Sequence, residues 1–323
     1  MTRLILTSSD TAGGCLLRAG IGDIVIPLGS RFVWDALPSD EKLEAMLGPG
    51  SLDHFPPHRL GAFHPKEVGP LDLCERCEAV ELWFDPAPNA QLMLVQFLDC
   101  LGSRESIVSK LTLFQADCDI GGQRPEVISK WKPPGVKIQN EHLAAASTAW
   151  KAYRQPTPQG WADLLETDIS ALPQLRQTVL EILEELPMPA IGLGATEMRM
   201  LELLSAGDAS PFDVFPGYEK PNTRRVFDYW EVGLLLDGLA HSPAPAVSGL
   251  DEGPFTEEMH NDKGRRIRYK ESKLSLTALG KSVLAQTEDF SRHNPIHRWW
   301  GGTELSNDNL WRWDPNNRAL IAP

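Results

Sequence analysis

The chain has 323 residues, 42% of them hydrophobic, and carries a formal net charge of −13. This length and composition predict two domains with substantial cores, and the longest apolar runs, such as 232–240, fall well short of the roughly 20 residues that a membrane-spanning helix needs. The acidic balance excludes a protein whose whole surface tracks nucleic acid, because releasing the ions condensed on phosphates takes many Lys and Arg side chains; a local basic face remains open.

The first elements alternate strand and helix. Residues 3–7 read as a buried strand, followed by a turn at Ser8, Ser9 and Asp10 and a helix from Thr11 that Gly20 and Gly22 end. Further strands are expected at 23–28, 79–84 and 111–115, with a helix at 40–47 and a long helix after Asn89, which is placed as its N-cap. Short apolar strands alternating with helices point to a mainly parallel sheet covered on both faces. Between 38 and 69, and again between 121 and 135, Pro and Gly interrupt any regular pattern. Helices follow at 142–153 and 161–165. A third is expected at 172–186, where Leu172, Leu175, Val179, Ile182, Leu183 and Leu186 recur with helical period.

In the last third, Thr196 is expected to cap a helix, a longer helix to run from Thr223 to Leu239, and residues 255–276 to form a β-hairpin turning at Asn261–Gly264. Thr277 caps a closing helix. The fold class predicted is therefore an α/β N-terminal domain with a mainly parallel sheet (1–120), a helical connector (121–189) and a winged-helix-like α+β C-terminal domain (190–323). The last of these carries a Trp-rich tail. That tail, 297–314, holds Trp299, Trp300, Trp311 and Trp313 of the chain's ten tryptophans. Gly301 and Gly302 between the pairs suit a tight turn that folds the second pair back on the first. Such aromatics are expected to dock onto the body of the protein or onto a partner, with a stacking platform flanked by Arg298 and Arg312 as the alternative.

Two residue groups are candidates for function. Within the expected hairpin, Lys263, Arg265, Arg266, Arg268, Lys270 and Lys273 oppose a single Glu271, and the preceding helix carries Arg224 and Arg225. A basic wing and helix of this kind suit phosphate contacts with DNA. The opposing reading is a solvated hairpin paired with the acidic remainder. The second group is the row Asp10, Asp35, Asp85, Asp117 and Asp119, each just beyond an expected strand, where open α/β sheets form their binding crevice. With Thr11 at the helix start and Asn89 beyond the third strand, they predict a small, anionic ligand held with a divalent metal. Asp is also a common turn former and N-cap, which is the structural alternative.

His54, His58, His64, Cys74 and Cys77 are the right ligand types for zinc, but the histidines lie in a Pro-rich loop without close pairing, and no metal site is assigned to them. The five cysteines suit reduced thiols in a cytoplasmic protein better than a disulfide framework. The N-terminus, with an apolar run of only four residues, reads as a strand rather than a signal peptide. There is no Walker loop and no Gly-x-Gly-x-x-Gly.

Several segments together carry a resemblance. They are Ser9-Asp10-Thr11-Ala12-Gly13, Leu82-Trp83-Phe84-Asp85 with Asn89-Ala90-Gln91, Ala149-Trp150-Lys151-Ala152, Leu172-Pro173-Gln174-Leu175, Gly192-Leu193 with Thr196-Glu197, Leu276-Thr277 with Gly280, and Arg298-Trp299-Trp300-Gly301-Gly302 with Trp311-Arg312-Trp313-Asp314. The chain resembles an uncharacterised bacterial family that pairs an N-terminal domain of unknown function with this Trp-Gly-Gly / Trp-Arg-Trp-Asp C-terminal motif, departing from it in carrying Ser9 where Gly is common. The resemblance implies a bacterial, cytosolic protein of this domain layout and no particular activity. The leading expectation is a ligand-binding or regulatory protein whose winged-helix-like domain contacts DNA or a protein partner. Its alternatives are a metal-dependent hydrolase or transferase acting on a phosphorylated small molecule, and a non-catalytic scaffold or homo-oligomer surface. Whether the chain is an enzyme, and with which cofactor, stays open.

Overall fold

The computed structural model describes residues 2–102, 104–207, 209–216 and 225–323. The chain divides into two compact units: Met1–Phe32 with Ala36–Arg154 and Asp163–Thr178, and Val33–Asp35 with Gln155–Ala162 and Val179–Pro323.

In the first unit, β1 (Arg3–Thr7), α1 (Asp10–Arg18) and β2 (Ile24–Pro27) form a right-sized β-α-β start. After α2 (Asp40–Leu47) and α3 (Pro70–Arg76) come β3 (Ala79–Phe84), α4 (Pro88–Leu101), α5 (Glu105–Val108), β4 (Leu111–Gln115), α6 (Pro125–Ile128), β5 (Val136–Lys137) and α7 (Asn140–Tyr153). The sheet order is β2-β1-β3-β4-β5, with the first four strands parallel and the short β5 antiparallel at the edge. Leu4, Ile5 and Leu6 are fully buried, so β1 is covered on both faces, as a parallel strand must be. Ile5, Val25 and Trp83 share one face with Ala12, Cys15 and Leu16 of α1 and Ile128 of α6. There Trp83 stacks on Phe114 with ring centroids 4.8 Å apart. The hydrophobic α4 is buried along almost its whole length and packs along α7. A Pro at its first position and Ala87 before it start α4, so Asn89 is not the N-cap; its side chain is occupied elsewhere.

The division between units falls within α8 (Gln159–Asp163) and α9 (Leu175–Leu183). The second unit continues with α10 (Ala195–Ser205), α11 (Tyr229–His241), β6 (Val247–Ser248), α12 (Glu257–Asn261), α13 (Lys263–Glu271), β7 (Ser275–Leu276) and α14 (Ala278–Leu284). The start expected at Thr223 lies outside the described residues. Described α11 opens on Asp228, whose carboxylate accepts from Trp230 N and Glu231 N at 2.9 and 3.0 Å, while Glu231 accepts from Asp228 N at 2.8 Å. Gly194, not Thr196, is the N-cap of α10. Thr277 caps α14 as expected, accepting from Gly280 N at 3.0 Å.

The expected hairpin at 255–276 is instead two helices. Thr256 caps α12, and Asp262, placed in the turn by sequence, is the N-cap of α13, accepting from Gly264 N and Arg265 N at 2.8 and 3.0 Å. The alternation of Ile267 and Tyr269 suggests a strand, but Tyr269 is fully buried while Ile267 is 44% exposed, so the buried face follows the helical period. What pairs in this region is short: β7 runs antiparallel to β6, and Leu274 bridges Ala209.

The tail forms two separate ribbons, β8 (His297–Trp300) with β9 (Thr303–Ser306) and β10 (Arg312–Asp314) with β11 (Ala319–Ile321). Gly301, at φ +55°, makes the first turn. The second Trp pair therefore does not fold onto the first in one hairpin: Trp300 donates its indole N–H to Ile182 O at 2.8 Å, and the Trp313 backbone N–H donates to Pro187 O at 3.1 Å. The tail is docked through Trp300 and Trp313, which are 5% and 1% exposed. Among the described residues no helix is long and apolar enough to cross a membrane.

Candidate functional site

The strand order makes the chain leave β1 and β3 in opposite directions, and at such a switch point the carboxyl ends of the strands frame a crevice. Two expected residues meet there. Asp85, buried beyond β3, accepts from Ser8 Oγ at 3.2 Å and from Ala87 N at 3.1 Å. Its carbonyl accepts from Gln91 Nε2 at 2.7 Å, and Gln91 in turn accepts from Gln115 Nε2 at 2.9 Å. Asn89 accepts from Phe32 N at 2.8 Å and donates to Ser30 O at 2.7 Å. Both side chains thus hold turns and loop together at the crevice. Thr7, at the end of β1, is fully buried and its Oγ1 takes no hydrogen bond.

The remaining acids are dispersed. Asp10 is exposed in the first turn of α1, where a carboxylate favours the helix but opposes an incoming anion. Thr11 is exposed, with Gly121 so close that a Cβ there would come within 3.0 Å of the Thr11 Cβ. Asp35 is exposed at φ +59° and belongs to the second unit. Asp117 is exposed, and Asp119 accepts from Gly121 N at 2.9 Å. Among the described residues no group of three or more His, Cys, Asp or Glu side chains is gathered for a metal. His54, His58 and His64 are exposed, while Cys74 and Cys77 are buried with thiol pKa values pushed up by that burial. All five cysteines are free thiols.

In the second unit, the arginines proposed to flank a stacking platform are engaged in the fold. Arg298 donates to Glu197 Oε2 at 2.9 Å and to Glu185 O at 3.2 Å. Arg312 donates to Asp289 Oδ2 at 2.8 Å, Ser291 Oγ at 2.9 Å and Met188 O at 3.0 Å. Bidentate reach of this kind is what a guanidinium supplies and an ammonium does not.

The basic segment is the most distinct surface. On α13, Lys263, Arg266, Ile267 and Lys270 fall at i, i+3, i+4 and i+7 and are all exposed, with exposed Lys273 just beyond. The opposite side is anchored: Tyr269 packs on Phe255 with centroids 4.9 Å apart. Arg265 Nε donates to Glu252 at 2.7 Å, Arg268 Nε donates to the same carboxylate at 2.9 Å, and Arg265 Nη2 donates to Gly253 O at 3.0 Å. Arg265 and Arg268 hold Glu252 well below the usual carboxylate range. The six cations therefore split into two that orient the helix and an outward set. Arg224 lies outside the described residues, and Arg225 is half-buried at the approach to α11. The helix α11 itself carries no Lys or Arg. Glu252, the anchor, carries no sequence signal beyond being an acid eleven residues before a basic run. No protein-family model matches the chain, and no curated protein matches it.

Proposed function

We propose that the protein is a binding protein of regulatory type whose C-terminal unit contacts the phosphates of duplex DNA through α13. The observation that carries this reading is the outward stripe Lys263, Arg266 and Lys270, continued by Lys273, on a helix whose inner face is fixed by Glu252 and Tyr269. From 263 to 270 the helix rises ~10 Å. Over that length B-DNA presents about six phosphate charges. A fixed cationic row needs little reordering to meet them.

The reading takes the second unit as a variant winged helix. In its support, α10 is followed by the bridge at Ala209 and then by α11; β6 leads into α12 and α13, and β7 returns to pair with β6 while Leu274 meets Ala209. In this scheme α12 and α13 occupy the place of the wing. The helix α11, without cations and buried on most of its sides, serves as core and not as a groove reader. Contacts of α13 are then with backbone rather than base edges, giving affinity with modest sequence preference. Five free thiols fit a reducing, cytoplasmic setting.

The test is fluorescence anisotropy on a pool of host genomic duplexes across a salt series. Wild type is expected to bind with a steep salt dependence, and Lys263→Ala/Arg266→Ala/Lys270→Ala to lower the log–log slope by ~3, close to 0.9 for each phosphate contact removed. No binding at low salt, or an unchanged slope in a variant that retains its circular dichroism, rejects the reading. Binding of the stripe to an acidic protein in place of DNA is the outcome that would favour a protein partner.

A further inference from the structure

A cleft of about 550 Å³ lies within the second unit, between the end of α11 and the loop that follows β6. We propose that it is a binding site for a small organic cation, an ammonium or amidinium group carried on an apolar body. This inference does not rest on the reading of α13.

Asp237 sits at the cleft and is only 8% exposed. One carboxylate oxygen, Oδ2, accepts from Phe255 N at 2.5 Å, while Oδ1 is buried and takes no hydrogen bond. His241 Nδ1 lies 3.7 Å from Oδ1, an ion-pair distance for a protonated imidazole but beyond hydrogen-bond reach. The other imidazole nitrogen, Nε2, lies 2.9 Å from Leu250 O, which can only accept, so Nε2 carries a proton and is engaged away from the carboxylate. A carboxylate oxygen left without a hydrogen bond is what an N–H-rich cation can satisfy. Burial pushes the carboxyl of Asp237 up, while the Phe255 N–H and the charge of His241 oppose the rise.

Two glycines border the carboxylate and the cleft. At Gly253 a Cβ would come within 2.9 Å of Asp237 Oδ1 and of His241 Cε1, and at Gly238 a Cβ would meet nothing within 4 Å. A second acid, exposed Asp251, also lines the cleft and adds negative charge at its mouth. The rest of the wall includes Pro243, Pro254 and Pro295, rigid apolar faces suited to an alkyl or aryl body. Two of these prolines are fixed by one side chain: Asn294, next to Pro295, accepts from Ala244 N at 2.8 Å and donates to Ala244 O at 2.9 Å, beside Pro243. A carboxylate pair without a third ligand suits an organic cation better than a divalent metal, and no metal-ligand group of three is gathered there among the described residues.

The test uses benzylamine, benzyl alcohol and phenylacetate as cationic, neutral and anionic probes of one shape. They are titrated calorimetrically into the full chain at pH 8, where the amine is charged. Benzylamine is expected to bind saturably and at least about tenfold more tightly than benzyl alcohol, the difference a charge-assisted hydrogen bond makes over a neutral one, with no binding of phenylacetate. Asp251→Asn is expected to weaken benzylamine several-fold. Gly238→Leu, which fills the cleft from an exposed helical position, is expected to abolish its binding while leaving the melting temperature at or above wild type. Asp237 also holds Phe255, so Asp237→Asn is read only if its melting curve matches wild type. Equal affinity for the amine and the alcohol, no saturable binding of the amine up to millimolar concentration, or unchanged binding in Gly238→Leu would each overturn the proposal.

Discussion

Glu185 offers the sharpest test of the electrostatics in the docked tail. It is 7% exposed, and its carboxylate takes the Thr196 hydroxyl at 2.5 Å and the Thr196 N–H at 3.2 Å. Burial pushes its pKa from 4.5 to about 7; the hydrogen bonds of Thr196 and the charge of Arg298 oppose the rise, and the Glu197 carboxylate adds to it. Below pH 4.5 folded and unfolded chains both hold the proton, so the contribution of the group to stability is fully present. Between 4.5 and 7 the unfolded chain releases the proton and the fold keeps it, so stability is lost as pH rises through that window and levels off above it. At 1.36 kcal/mol per tenfold step, the difference between 4.5 and about 7 comes to about 3 kcal/mol. Glu185→Gln removes the ionisation and can keep both contacts, its Oε1 accepting from Thr196 N while its Nε2 donates to Thr196 Oγ1. Relative to wild type, the variant is expected to gain about 1–3 kcal/mol at pH 8 and to gain little or nothing at pH 4.5. Urea titrations followed by tryptophan fluorescence, taken as the variant minus wild-type difference at each pH, read this directly. A difference that does not change with pH would refute the assignment, and a variant weaker than wild type at pH 8 would mean that Glu185 is held as an ion by Arg298 and Thr196.

Other outcomes follow from the same geometry. Trp313→Ala, at a position only 1% exposed, is expected to cost about 3–5 kcal/mol in urea denaturation of the C-terminal unit. Asn89→Ala leaves Phe32 N and Ser30 O without their partner and is expected to cost about 2 kcal/mol, whereas exposed Asp10→Asn should stay within about 0.5 kcal/mol. The reverse order would return Asp10 to a structural or binding role. Of the five free thiols, half-buried Cys100 and Cys118 should react first with a disulfide reagent at pH 8, and slowly, since burial, helped at Cys118 by Asp117, pushes the Cys118 thiol up to about 11. Buried Cys15, Cys74 and Cys77 should react only after unfolding; a fast native reaction at any of the three would contradict their burial.

The sequence was most legible where one local rule decided the outcome. The four parallel strands stand where apolar runs of four to six residues were bounded by turn residues, and α2 runs from Asp40 to Leu47 as its pattern predicts. Caps were less legible, because several residues compete for the same backbone donors. At α4, Pro88 fixes the first helical φ and Ala87 precedes it, which leaves Asn89 free to reach Phe32 and Ser30 across some sixty residues of sequence. At α10, Thr196 had the composition of a cap, yet Gly194 takes that place because Glu197 reaches back to its N–H at 3.0 Å and Glu185 claims the Thr196 hydroxyl. Such long-range claims on a side chain leave no trace in local spacing. The row of aspartates met the same limit: Asp85 is drawn to the crevice by Ser8 and the Ala87 turn, whereas Asp35 stands well past the end of β2.

The basic run folds as a helix where its spacing suggests a hairpin strand. Its six cations in eleven residues suggest a wing, and a strand would alternate them across two faces. Capped by Asp262, the segment instead follows a period of 3.6, which sends Arg265 and Arg268 to Glu252 and leaves Lys263, Arg266 and Lys270 in one outward row. The two sets should therefore behave differently under mutation. Removing the outward row lowers the positive charge of the exposed face and leaves the inner contacts in place, whereas Arg265→Ala/Arg268→Ala frees a largely covered Glu252 carboxylate and loosens the loop that carries Asp251 and Gly253. If the second variant melts lower while the first changes only salt-dependent binding, the division of labour within this one helix is established; a first variant that loses stability as much as the second would place its cations in the fold and take the phosphate-binding reading with it.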